Sequence, residues 1–172
     1  MSPGIKLWWH IAGSALVFLL FVIRRSTRFT NIVVISLVEL PGVILHEICH
    51  LIVGIIFMAR PSGICLLPER NIQDGGWTLG TVGFNRITAL NAVPIALAPL
   101  LLLGIAYELV IYWPTLIHSP SLLSTLGVYL ALFVLSYDSI PSRQDIRIAC
   151  NWKSVLLYGS IIGVVVGWKL QQ

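Results

Sequence analysis

The chain has 172 residues, of which 57% are hydrophobic and only 10% are charged, and its mean hydropathy is +0.90. Soluble domains carry about 25% charged residues, so this sequence has too few polar side chains for a water-facing surface and suits a lipid bilayer instead. The net charge of +4 does not indicate nucleic-acid binding, because the arginines and lysines lie between hydrophobic segments, as they do beside membrane spans.

Hydrophobic segments along the chain predict about five transmembrane helices. They cover approximately residues 7–23, 31–58, 89–113, 122–137 and 155–168. Arginines rather than small residues follow the first segment, so we interpret it as a retained span and not as a cleaved signal peptide. Pro41-Gly42 lies inside the second segment and predicts a kink or a break in that helix. Arginines and lysines fall on both sides of these spans, which leaves the orientation in the membrane open.

Residues 60–86, between the second and third segments, are polar and rich in glycine. Asp74-Gly75 is a strong turn signal, and an alternating pattern follows from Trp77 to Val82. This pattern predicts a small β-hairpin or membrane-associated loop. The predicted fold class is therefore an all-α polytopic membrane protein with this hairpin between its second and third spans. At this length we expect a single membrane-embedded domain over residues 1–172.

The second hydrophobic segment contains the motif His46-Glu47-Ile48-Cys49-His50. Two histidines four residues apart lie on one face of a helix, so both imidazoles can bind the same zinc ion. Glu47 would then lie beside a zinc-bound water, where it can act as general base and pass the proton to a leaving amine. Ionisable side chains inside a membrane helix are costly and usually functional, which favours this reading over a polar cluster that only joins helices.

A catalytic zinc site has three protein ligands, so a third ligand must come from elsewhere in the chain. Glu39 lies two turns before His46, and this separation suits a supporting or gating role better than ligation. Histidines near the ends of spans are usually not metal ligands, and carboxylates in the polar loop are more often solvated. The residues alone leave the choice open among His10, Glu39, Glu69, Asp74, Glu108, His118, Asp138 and Asp145.

The motif in a hydrophobic span, followed by a later segment with proline and aspartate, resembles the site-2 protease family of intramembrane zinc metalloproteases. In that family the third ligand is an aspartate in a later membrane segment, within a sequence like N-x-x-P-x-P-x-x-D-G. The nearest match here is Asp138-Ser139-Ile140-Pro141-Ser142-Arg143-Gln144-Asp145, in which a proline precedes an aspartate. Asp138 replaces the family's asparagine and Ile146 replaces its final glycine. The resemblance favours Asp145 over Asp138 as the third ligand.

Two further segments look like parts of the same family. Asn91-Ala92-Val93-Pro94 is similar to the start of its central span, and the region of Gly80–Gly83 to its membrane-associated β element. The resemblance implies a three-helix catalytic core within about residues 31–150 and one Zn²⁺ ion bound by His46, His50 and Asp145. It also implies Glu47 as the catalytic residue and a membrane-protein or membrane-peptide substrate cut in or near the bilayer.

Other functions are open alternatives. A metal transporter would use the histidines for passage and would show no proteolysis that depends on Glu47. A non-catalytic relative would keep zinc for structure, although a structural site has no need of a base. Another membrane hydrolase or a di-iron enzyme is a third alternative, but di-iron sites need more ligands than this sequence offers. The short chain, without organelle-targeting features, predicts a prokaryotic cell membrane, and the oligomeric state is left open.

Overall fold

The computed structural model describes residues 7–26, 32–66, 69–70, 77–78, 80–117 and 119–171. This part of the chain is mostly helical. Its seven α-helices are α1 (Leu7–Ser26), α2 (Ile32–Ile56), α3 (Ala89–Ala96), α4 (Leu101–Leu116), α5 (Leu122–Asp138), α6 (Arg143–Ala149) and α7 (Trp152–Lys169). A 3-10 turn, Ala98–Leu100, joins α3 to α4.

Three to four of these helices are long and apolar enough to cross a membrane. The three candidate spans are Leu7–Arg25, Glu39–Ile56 and Ala98–Leu116. The count is four if α5 and α6, which are bent by 47° relative to each other, form one broken span. The prediction of about five spans is therefore met only in part. The fifth predicted span does form a helix, α7, but its two lysines and its serines and glycines lower its hydropathy, and it is not among the candidate spans of the described residues.

Prolines act differently in the second and third predicted spans. The sequence predicts a kink or a break at Pro41-Gly42. The break is wrong, because α2 continues as one helix through both residues. The third predicted span is divided near Leu97, where α3 ends and the 3-10 turn that contains Pro99 begins. Proline cannot donate a backbone hydrogen bond, and here the chain leaves α-geometry at that point.

An antiparallel β element lies between α2 and α3, as the sequence predicts. Strand β1 (Pro61–Cys65) pairs with β4 (Thr81–Phe84), with Ile64 opposite Val82. A second pair of strands forms where β2 (Glu69–Arg70) lies antiparallel to β3 (Trp77–Thr78). The predicted turn at Asp74-Gly75 lies outside the described residues. Gly54 of α2 has no side chain where the Phe84 ring packs, so β4 lies close against α2.

A small apolar core surrounds the central helix α2. Most of its buried members come from α2, from the α3–α4 region and from α5, and they include Cys49, Val53, Ile95, Leu102, Ala106 and Leu135. The first helix packs along α5, where Gly13 makes room for the ring of Tyr129 and His10 Nδ1 lies 3.0 Å from its hydroxyl. This packing brings α2, α3, α5 and α6 together around the histidine motif.

Candidate metal centre

His46 and His50 lie on successive turns of α2, with their side chains turned toward each other. Their Nε2 atoms are 3.1 Å apart, and their ring centroids are 4.8 Å apart. The helical spacing therefore places both imidazoles where one ion can reach both nitrogens, as the sequence predicts. Burial is deepest at His50, which is 5% exposed.

The other ring nitrogen of each histidine is held by a backbone carbonyl. His46 Nδ1 donates to the carbonyl of Asp138 at 2.7 Å, and His50 Nδ1 donates to the carbonyl of Ile95 at 2.8 Å. A carbonyl only accepts hydrogen bonds, so each Nδ1 carries a proton, and each Nε2 of a neutral ring presents a lone pair. Two lone pairs that face each other at this distance repel unless a cation lies between them. The histidines are thus oriented as metal ligands usually are.

Asp145 reaches the same point from the first turn of α6. A capping box starts this helix: Ser142 N donates to Asp145 Oδ2 at 2.6 Å, and Asp145 N donates to Ser142 Oγ at 3.2 Å. The carboxylate is thereby fixed with Oδ1 3.2 Å from His50 Nε2 and Oδ2 3.4 Å from His46 Nε2. Potential ligand atoms of the three residues all lie within 4.8 Å of one another, so together they could hold one metal ion.

Asp138, the alternative third ligand, is placed differently. Its carboxylate receives a hydrogen bond from Arg24 Nη2 at 3.3 Å and packs over Gly42, where a Cβ would overlap it. Only its backbone carbonyl contacts a histidine of the motif. Sequence reasoning missed this contact because every residue has a carbonyl, and no side-chain pattern marks the one that a histidine uses.

The remaining candidates lie away from the histidines or outside the described residues. Glu39 accepts a hydrogen bond from Arg24 Nε at 2.9 Å, His10 is next to Tyr129, and Glu108 is exposed on α4. His118 and Asp74 lie outside the described residues, as does the side chain of Glu69. Among the described residues, the group that could hold a metal is His46, His50 and Asp145.

Glu47 of α2 is buried where the helix meets the hairpin, and only 8% of it is exposed. The hairpin approaches it at Gly80, just before β4. A Cβ at Gly80 would lie 2.6 Å from Val43 Cγ1 and 3.1 Å from Glu47 Oε1. Only glycine therefore allows the hairpin backbone to lie this close to the glutamate. Glu47 therefore lies next to the histidines in α2 and also next to Gly80, the hairpin residue that precedes β4.

Comparison of the chain with protein-family models, with curated proteins and with solved structures finds no match.

Proposed function

We propose that this protein is a zinc-dependent intramembrane endopeptidase that hydrolyses peptide bonds of membrane proteins or membrane peptides, and that it is a multi-pass protein of a prokaryotic cell membrane. The observation that carries the proposal is the convergence of His46, His50 and Asp145, with both Nε2 lone pairs turned inward and Glu47 next to His46 in the same helix. The resemblance of the motif to that of the site-2 protease family supports peptide hydrolysis among the possible reactions.

The donor set fits zinc. Two imidazole nitrogens and one carboxylate oxygen make up the three protein ligands of many catalytic zinc sites, whereas structural sites are closed by four ligands and are rich in cysteine. The nearby Cys49 belongs to the apolar core instead. A zinc ion held by His46, His50 and Asp145 would supply Lewis acidity to a water molecule and to a peptide carbonyl.

Glu47 is the residue that we assign to proton transfer. Its carboxylate accepts a proton from the attacking water as the oxygen bonds to the peptide carbon. It then gives that proton to the amine nitrogen as the carbon–nitrogen bond breaks, so protons balance over the cycle. Burial of Glu47 excludes bulk water and strengthens its electrostatic interactions with the reacting groups.

In this proposal the hairpin supports the substrate. A helical substrate must be unwound before its carbonyl is accessible, because helical backbone groups are already hydrogen-bonded. Among the described strands, β4 pairs with β1 alone, and it begins next to Glu47. We assign to this sheet the task of holding an extended substrate segment by β-strand addition.

Purified protein tests the proposal directly. We expect one zinc ion per chain and cleavage of a membrane peptide in detergent or in liposomes, with activity lost on treatment with 1,10-phenanthroline and restored by Zn²⁺. Zinc uptake should be measured on the same protein in proteoliposomes. Zinc flux without peptide cleavage would support the transport alternative and overturn the peptidase proposal.

Replacement of Gly80 with alanine or valine should lower peptidase activity without loss of zinc. The added carbons would meet Val43 and the Glu47 carboxylate, so the hairpin or the glutamate must shift. Gly63, in the paired strand β1, is the matched control because a Cβ there meets no atom within 4 Å. We expect Gly63→Ala to retain wild-type turnover. Equal activity of Gly80→Val and Gly63→Ala would show that the close approach to Glu47 has no role in cleavage.

A further inference from the structure

A second group of charged side chains lies partly buried beside the metal centre, at the junction of α1, α2 and α5. Arg24 of α1 donates from Nε to Glu39 of α2 at 2.9 Å and from Nη2 to Asp138 of α5 at 3.3 Å. Its guanidinium also lies 3.6 Å from the centroid of the Tyr137 ring. The side chains of Arg24, Glu39 and Asp138 are only 15%, 17% and 10% exposed. Partly buried charges are costly unless they are paired, and here one arginine is paired with carboxylates on two other helices.

Asp138 connects this cluster to the metal centre. Its carboxylate is held by Arg24, and its backbone carbonyl accepts the hydrogen bond from His46 Nδ1 at 2.7 Å. Asp138 is the last residue of α5, where backbone carbonyls have no partner within the helix and the end of the helix can fray. Gly42 leaves room for the carboxylate against α2. One side chain from α1 therefore holds the residue whose carbonyl orients a metal ligand.

We propose that Arg24 is a positioning residue of the metal centre, which fixes the Asp138 carbonyl and through it the orientation of His46. This inference rests on the metal site of the proposed function but not on peptidase activity. It also gives α1 a functional role. This helix packs mainly on α5, outside the three-helix core that the resemblance implies. The partner of Arg24 on α2, Glu39, lies two turns before His46 in the same helix.

Arginine suits this position better than lysine for a geometric reason. Two nitrogens of the planar guanidinium point to carboxylates on different helices while its face covers the Tyr137 ring. The ammonium of lysine is a point charge without this fork, so lysine would keep the charge but not all of the contacts. We therefore expect the zinc affinity of Arg24→Lys to lie between that of the wild type and that of Arg24→Gln.

The test measures zinc affinity by competition with a chelator, together with the visible absorption spectrum of the Co²⁺-substituted protein. All variants carry Glu47→Gln, so that cleavage has no part in the result. Loss of a direct partner of a metal ligand usually weakens metal binding about 10- to 100-fold. Because Arg24→Gln keeps the carbonyl and only loosens it, we expect zinc binding to weaken by about 10-fold, the lower end of that range, and the Co²⁺ spectrum to change. Arg25→Gln is the matched control, since Arg25 is the neighbouring exposed arginine of α1.

Two further variants keep the outcome decisive. Asp138→Asn retains the carbonyl but loses the ion pair, so it should reproduce Arg24→Gln, and the double variant should be no worse than either single one. If Arg24→Gln does not fold, Arg24→Lys and Asp138→Asn answer the same question. A folded variant with a lower melting temperature but unchanged zinc affinity and Co²⁺ spectrum would assign Arg24 a purely structural role and overturn the inference. Absence of zinc binding by the Arg24-containing protein would instead overturn the proposed function.

Discussion

Glu47→Gln should abolish most of the peptidase activity while the protein keeps its zinc. Glutamine has nearly the same shape as glutamate but cannot accept a proton from water, so only the proton-transfer step is removed. General acid–base groups typically contribute about 10²- to 10⁴-fold to the rate, and we expect a loss of that size. The Nδ1 atoms of His46 and His50 donate to the carbonyls of Asp138 and Ile95 and not to Glu47, so we expect the proposed metal ligands to keep their orientation.

The measurement compares zinc content and single-turnover cleavage of a membrane peptide by the wild type and by Glu47→Gln. Glu108→Gln is the control, because Glu108 is an exposed glutamate on α4. It should match the wild type in both readings. If Glu47→Gln cleaves the peptide at the wild-type rate, Glu47 is not the base, and metal binding or transport becomes the leading function.

The local part of the site could be predicted from the sequence. A spacing of four residues on a helix determines that His46 and His50 share a face, whatever the rest of the fold does. The hairpin was also predictable, because its alternating strands and glycines are adjacent in the sequence. In both cases the pattern and the structure that it specifies lie within a few residues of each other.

The non-local part was harder to predict. Asp145 was favoured over Asp138 by resemblance alone, although Ser142-Arg143-Gln144-Asp145 is close to a capping-box pattern and could have indicated a helix start that fixes the carboxylate. The use of the Asp138 carbonyl by His46 and the cluster around Arg24 depend on how α1, α2 and α5 pack. No spacing within one helix specifies such contacts.

The effect of proline shows a second limit of the sequence. Pro41 and Pro99 both lie in apolar segments, yet α2 continues through Pro41 and the α3–α4 region breaks near Pro99. Proline removes one donor in each case, and whether the helix continues depends on the partners that the freed carbonyl and the neighbouring helices provide. Those partners become known only when the helices are assembled.

Asp145 variants should lose zinc and peptidase activity together. Asp145→Ala removes the proposed ligand and also the N3 side chain of the capping box, which accepts from Ser142 N and helps to start α6. Asp145→Asn separates the two effects, because its amide oxygen still accepts from Ser142 N while the negative charge toward the metal is lost. Removing an outer partner of a ligand lowers metal affinity about 10- to 100-fold. We expect the loss of zinc affinity in both Asp145 variants to be larger than that.

The order of zinc affinities among the variants decides which of the two aspartates is the third ligand. If Asp145 is the ligand and Asp138 acts through its carbonyl, zinc affinity should fall from the wild type to Asp138→Asn and further to Asp145→Asn. Chelator competition on the purified variants gives this order, and helix content by circular dichroism shows whether α6 persists in Asp145→Asn. The reverse order would make Asp138 the third ligand, which requires its carboxylate to leave Arg24 and turn toward His46 when zinc binds.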